Sequence, residues 1–149
     1  MAIFTVDASV VVSSINSNEE AHASSRAFMN HVDAERQLII VPSLLLPEVA
    51  SAIGRGRQDD GLAMAYVEQL RQLPHLTFIA IDSTIAWRAA SIAAAQRLRG
   101  SNAIYAAVAQ RYNTTLVTLD AEQLQRLNDV IPTRTPAQIS QTWAAQSEE

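Results

Sequence analysis

Three acidic residues of this chain stand in apolar surroundings. Asp7 follows Ile3-Phe4-Thr5-Val6, Glu48 lies within Leu44-Leu45-Leu46-Pro47-Glu48-Val49-Ala50, and Asp120 follows Leu116-Val117-Thr118-Leu119. Burying a carboxylate costs several kcal/mol unless a cation or hydrogen-bond donors satisfy it. Two carboxylates about 4 Å apart repel by roughly 4 kcal/mol at an effective dielectric of about 20. One divalent cation shared among the three acids would answer both costs. The chain has no cysteine, so its ligands must be oxygen or imidazole, a donor set that favours hard ions such as magnesium or manganese.

The rest of the composition limits what kind of protein can carry such a site. The chain has 149 residues, 48% hydrophobic and 17% charged, which suits one globular domain, 1–149, with a real core. Asp7 interrupts the opening apolar run, and no uncharged apolar segment reaches the roughly 20 residues of a membrane span, so a soluble cytoplasmic protein is expected. A net charge of −4 argues against a generally basic nucleic-acid binder and leaves room for a local basic patch. All 11 basic residues are arginine, which fits either phosphate recognition by a planar fork or the codon bias of a GC-rich genome.

Elements that could position the acids are readable from the pattern. Ile3 to Val6, Leu38 to Val41, Leu76 to Ile81 and Thr115 to Leu119 read as nearly continuous apolar strands separated by helices, which predicts an α/β fold with a mostly parallel sheet covered on both faces. Ser17 and Glu20 are spaced as a capping box for a helix to about Val32, and Ser43 is a cap for a helix ending near Gly54 or Gly56. Further helices are expected from Gly61 to Leu73, from Ser83 to a stop at Gly100, and from a cap at Ser101 or Asn102. Residues from about 132 form a C-terminal extension, with a helix from Pro136 to Trp143 and a frayed end over 146–149.

In a parallel α/β sheet, ligands bind beyond the carboxyl ends of the strands. Asp7 and Asp120 both follow strands and converge if those strands are neighbours. Asn102, at the start of a helix, and Glu48 would then add two more oxygens. Ser9 and Thr118, each two residues from an aspartate, are placed to hydrogen-bond the carboxylates and orient them.

At these residues the chain resembles the PIN-domain ribonucleases, in particular the VapC-like toxins of toxin and antitoxin pairs. Val6-Asp7-Ala8-Ser9 looks like the first acidic motif of that family. Pro42-Ser43-Leu44-Leu45-Leu46-Pro47-Glu48-Val49 looks like its glutamate helix, Leu98 to Ala107 like its third motif, and Thr118-Leu119-Asp120 like its last. The resemblance implies a PIN-like fold and an endoribonuclease using Mg2+ or Mn2+. Its catalytic and metal-binding residues would be Asp7, Glu48, Asn102 and Asp120, its substrate RNA, and its partners a cognate antitoxin and a second copy of the chain. The third motif normally carries aspartate where this chain has Asn102. An amide offers one carbonyl oxygen without charge and cannot act as a base, and losing one anion weakens divalent binding by an estimated ~30-fold to ~1000-fold. Two readings therefore compete: a nuclease with a weakened site, and a PIN-fold module that binds RNA or antitoxin without turnover.

Plainer roles compete for each residue. Asp7 and Asp120 are placed to cap the helices that follow them, Glu48 to pair with an arginine, and Asn102 to cap its own helix. Asp82 beside Ser83 and Thr84 reads as a helix start. Arg55, Arg57, Arg97 and Arg99 are candidates for contacting an RNA backbone, with solvated helix ends as the alternative. His22, His31 and His75 lack ligand-like spacing and read as surface residues, while Trp87 and Tyr105 suit core or interface packing. A phosphatase using Asp7 as nucleophile usually wants a second aspartate two residues on, where this chain has Ser9.

Overall fold

The computed structural model describes residues 2–148. Strands β1 (Phe4–Val6), β2 (Ile39–Pro42), β3 (Leu76–Ile79), β4 (Thr115–Val117) and β5 (Thr133–Arg134) form one sheet in the order β3-β2-β1-β4-β5, with every pairing parallel. Among the described residues eight helices join and flank them: α1 (Ala8–Ile15), α2 (His22–Ala34), α3 (Leu45–Arg57), α4 (Asp60–Arg71), α5 (Ser83–Gln96), α6 (Gly100–Tyr112), α7 (Ala121–Arg126) and α8 (Pro136–Ser147). The expected α/β architecture is therefore present, and its sheet is wholly rather than mostly parallel. No helix among the described residues is long and apolar enough to cross a membrane.

Burial follows from this layering. Every residue of β1 and β2 is buried, as parallel strands covered on both faces must be. Helix α6 supplies the innermost surface, with Ala103, Tyr105, Ala106, Ala107, Val108 and Ala109 all fully buried. Its alanines let it lie close against β1, β2 and β4. The order of the sheet matters most for function, because β1 and β4 are neighbours in register, Phe4 to Thr115 and Val6 to Val117. The residues that follow those two strands emerge side by side.

Several element ends differ from the sequence reading. The third and fourth strands stop at Ile79 and Val117, short of Ile81 and Leu119, and the two-residue β5 was not foreseen. The Ser17 and Glu20 capping box does not form; α2 begins at His22 after Ala21 with no side-chain cap, while Asn16 organises the turn by accepting from the Asn18 amide. Ser43 likewise does not cap α3, whose N-cap is Leu44. Gly54 and Gly56 lie inside α3, which ends with Gln58 in the left-handed region, and α5 ends with Arg97 in the same conformation. Interior glycine costs a helix only about 1 kcal/mol relative to alanine, and α3 continues through both glycines while it packs against α4. Gly100 opens α6 rather than closing α5, with Arg99 at the N-cap, so neither Ser101 nor Asn102 is a cap. Asp82 does cap α5, accepting from the Ile85 amide at 2.9 Å.

The C-terminal helix runs past Trp143 through Ser147, so Gln146 and Ser147 are helical rather than frayed; Glu149 lies outside the described residues. Its start is fixed by a capping box between Thr135 and Gln138 and by Pro136 in the first turn. It docks on α2 through Trp143, which stacks on His31 at 3.8 Å and on Phe28 at 5.8 Å between ring centroids. His75 is buried beneath the sheet edge near Asp33, 3.7 Å away, so neither His31 nor His75 is the free surface residue expected. Trp87 is 80% exposed on α5, which excludes a core role. Since full Trp-to-Ala truncation in a core costs roughly 3–5 kcal/mol, we expect Trp143→Ala, at a half-buried position, to cost about 2–3 kcal/mol in denaturant melts. A change under half that would show that α8 contributes little to the fold.

Candidate active site at the carboxyl ends of β1 and β4

Asp7 leaves β1 with its amide still bonded to the Val117 carbonyl at 3.0 Å, so the β1–β4 ladder ends on the acid itself. It is 6% exposed. One carboxylate oxygen, Oδ2, accepts from Ser9 Oγ at 2.6 Å, from the Ser9 amide at 3.4 Å and from Thr118 Oγ1 at 3.1 Å. Ser9 Oγ accepts in turn from the Leu119 amide at 3.1 Å, and Thr118 Oγ1 accepts from the Asp120 amide at 3.0 Å. Ser9 and Thr118 thus hold the ends of both strands to one carboxylate oxygen. Asp7 is also the N-cap of α1 and Asp120 the N-cap of α7, through the Gln123 amide at 3.0 Å. Capping and convergence are compatible, because capping leaves one oxygen of each acid uncommitted.

Glu48 reaches the site from the first turn of α3 and is held by Tyr105, whose hydroxyl donates to Oε1 at 2.6 Å. Asn102, in the first turn of α6, turns its amide nitrogen toward α7 and donates to Asp120 Oδ1 at 3.3 Å and Glu122 Oε2 at 2.8 Å. Fully buried Gln123 closes the network: its Oε1 shares the single Thr118 hydroxyl proton with Asp7 Oδ2, and its Nε2 donates to the Asn102 backbone carbonyl at 3.4 Å. Tyr105, Glu122 and Gln123 were missed from the sequence. Tyr105 and Asn102 sit three residues apart on one helical face, a spacing that could have signalled the first of them.

The four expected ligands thus gather at one end of the sheet, and the electrostatics reflect it. Burial raises the carboxyl of Asp7 above its ordinary value, against the lowering by Ser9 and Thr118, and the charge of Asp120 raises it further. Burial also raises Glu48, with Tyr105 lowering it and the charge of Asp7 adding to the rise. The Tyr105 hydroxyl is pushed far up by burial and by Glu48, so it stays a donor. The expected arginines divide. Arg55 lines a cleft of about 230 Å³ with Glu48 and Ser51, and Arg99 lies 4.0 Å from Glu122, so both stand at the rim. Arg57 instead lines a separate cavity with Asn16 and Tyr66, and the exposed Arg97 ends α5 with its carbonyl accepting from Arg126.

The donor set suits a hard cation. Asp7 Oδ1, Glu48 Oε2, Asp120 Oδ2 and Asn102 Oδ1 accept no hydrogen bond among the described residues, and none is sealed from solvent. Among the described residues, however, no three His, Cys, Asp or Glu side chains close on a single point. Each acid takes its compensation from a neutral donor: Asp7 from Ser9 and Thr118, Glu48 from Tyr105, Asp120 from Asn102 and the α7 amide.

The fold and these positions identify the class: the chain belongs to the PIN domain family, whose model matches residues 4–129. Similar solved structures include PAE2754 from Pyrobaculum aerophilum, at 18% identity over 97% of this chain and 90% of the other, with a TM-score of 0.69. VapBC2 from Rickettsia felis, bound to a DNA fragment from its promoter, matches at 14% identity over 89% and 98%, with a TM-score of 0.68. VapC20 from Mycobacterium tuberculosis, a sarcin-ricin loop cleaving toxin, matches at 13% identity over 79% and 90%, with a TM-score of 0.64. At these identities the likeness is one of fold. No curated protein matches the sequence.

The raised carboxyls have a pH consequence. Between the ordinary values, 3.8 for Asp7 and 4.5 for Glu48, and their higher folded values, the folded chain binds more protons than the unfolded chain, so these two groups make stability fall as pH rises. The penalty is absent below about pH 4, near those ordinary values, and complete above the folded values. We expect metal-free Asp7→Asn to gain stability over wild type as pH is raised from 5 to 7.5, followed by thermal melts in chelator. A difference between the two proteins that does not change with pH would contradict the burial-driven shift.

Proposed function

We propose that the whole chain, 1–149, is one PIN domain acting as a cytoplasmic endoribonuclease toxin that depends on Mg2+ or Mn2+. Asp7, Glu48 and Asp120 would hold the ion, with the Asn102 carbonyl oxygen as a further donor. The observation that carries this reading is that three carboxylates at the carboxyl ends of β1 and β4 and the start of α3 each keep one oxygen free of hydrogen bonds among the described residues while the other is fixed by a donor. The bound cation would supply a water nucleophile at neutral pH and neutralise charge on the scissile phosphate.

The chain's own residues then have separable tasks. Ser9 and Thr118 pin Asp7 Oδ2, which directs Oδ1 outward, and Tyr105 does the same for Glu48 through Oε1. Asp7 and Glu48 must give up protons before they can bind a cation, so activity should rise with pH through their raised values. Arg55 and Arg99 at the rim are suited to contact the RNA backbone, while Arg57 lines a separate cavity and would act only on an extended substrate. Of the partner reading, the cognate antitoxin draws support from the VapBC2 assembly and the fold it shares, while a second copy of the chain rests on the family resemblance alone. The alternative, a module that binds RNA or antitoxin without turnover, is favoured by Asn102 and by the lack of a closed group of three acids among the described residues.

Incubating mixed RNA with wild type, Asp7→Asn and Asn102→Asp in millimolar Mn2+ separates the two readings. We expect wild type to cut and Asp7→Asn to lose at least about 100-fold, equivalent to ~2.7 kcal/mol of transition-state stabilisation. RNA left intact by wild type but cut by Asn102→Asp would establish the impaired module; RNA left intact by both would remove the nuclease reading. Asn102→Asp also deletes two donors and sets a third carboxylate beside Asp120 and Glu122. We expect it to lose about 2–4 kcal/mol in chelator and to recover most of that in manganese. Equal melts in both conditions would contradict this.

A further inference from the structure

We propose that Glu122 carries the fourth negative charge of the site, and that Asn102 is a positioning residue whose amide clamps Glu122 to Asp120. The inference rests on the metal-dependent reading above and changes its ligand set. The acid absent from position 102 is present one helix away.

A single nitrogen, Asn102 Nδ2, donates to Asp120 Oδ1 at 3.3 Å and to Glu122 Oε2 at 2.8 Å. With its nitrogen turned to both acids, the amide cannot at the same time aim its carbonyl oxygen at the space they share. It instead draws together two like charges that would otherwise separate. Aspartate at 102 would repel Glu122 and could not bridge it, so asparagine here and glutamate at 122 form a matched pair. Four carboxylates then remain at this end of the sheet: Asp7, Glu48, Asp120 and Glu122.

Glu122 also meets Arg126 Nη1 at 3.0 Å through Oε1 and lies 4.0 Å from Arg99 Nε. A purely structural ion pair is the competing account. The exposures favour an inward role: the Glu122 side chain is 19% exposed, whereas Arg126 is 45% and Arg99 80% exposed. Glu122 shares the Asn102 amide with Asp120, and the arginines it also meets are the more exposed partners, in pairs that contribute little on their own.

Mn2+ titration followed by the electron paramagnetic resonance of the free ion tests this in the full chain. The proteins are wild type, Asp7→Asn, Glu122→Gln, and Asn102→Asp combined with Glu122→Gln, each with its melting temperature in chelator as a check on folding. We expect Glu122→Gln to weaken Mn2+ binding about tenfold or more, and the double variant, which moves the charge back to position 102, to return within about threefold of wild type. Glu122→Gln binding like wild type while Asp7→Asn is impaired would make Glu122 only an arginine partner and overturn the inference. A double variant as weak as Glu122→Gln would overturn the exchange of charge between the two positions. If Asp7→Asn also binds normally, the metal reading itself fails.

Discussion

The end of this sheet is organised around one buried carboxylate oxygen. Asp7 Oδ2 receives two hydroxyls and an amide, and those hydroxyls also receive the amides of Leu119 and Asp120, so the two chain segments leaving β1 and β4 are tied at a single atom. An apolar residue at position 7 would leave the Ser9 hydroxyl without its acceptor and Thr118 with Gln123 alone. The cost of burying the acid is met by half of its own hydrogen-bonding capacity, and the other half remains for a ligand.

The same division recurs at each acid. Glu48 spends one oxygen on Tyr105, and Asp120 spends one on Asn102 and the Gln123 amide. A cluster of anions without a cation must find neutral donors or drift apart, and here the donors come from the innermost helix, α6, and from the helix starts. The site is thereby held ready without a closed three-acid cage among the described residues. Precision of this kind depends on buried supports such as Tyr105 and Gln123, which cannot move without disturbing the core.

Much of this was legible in the sequence because the governing signals are local. Apolar runs ending in Asp7 and Asp120 marked both the strands and their carboxyl ends, and Pro47 followed by Glu48 placed an acid in the first turn of a helix. What was not legible depends on tertiary placement. A two-residue strand at Thr133–Arg134 has too few residues to show a period, and it forms because β4 offers it an edge. Asn102 looked like a helix cap since asparagine prefers that position, but the chain enters α6 two residues earlier, and the side chain is free to bridge α7. Gly54, Gly56 and Gly100 looked like stops, yet Gln58 and Arg97 take the left-handed positions instead. Trp87 looked suited to core or interface packing and is not in the core, because Ile85, Ala89 and Ile92 form the face that α5 buries.

That the acids at the ends of β1, β4 and α3 form one cation site is the claim on which the functional reading stands. Crystals grown with manganese and measured for anomalous scattering address it directly. The account expects an anomalous peak within about 2.5 Å of carboxylate oxygens from Asp7 and Asp120, with Glu48 turned toward it. A well-ordered crystal at millimolar manganese with no peak between Asp7 and Asp120, or with its only peaks at surface carboxylates elsewhere, would contradict it.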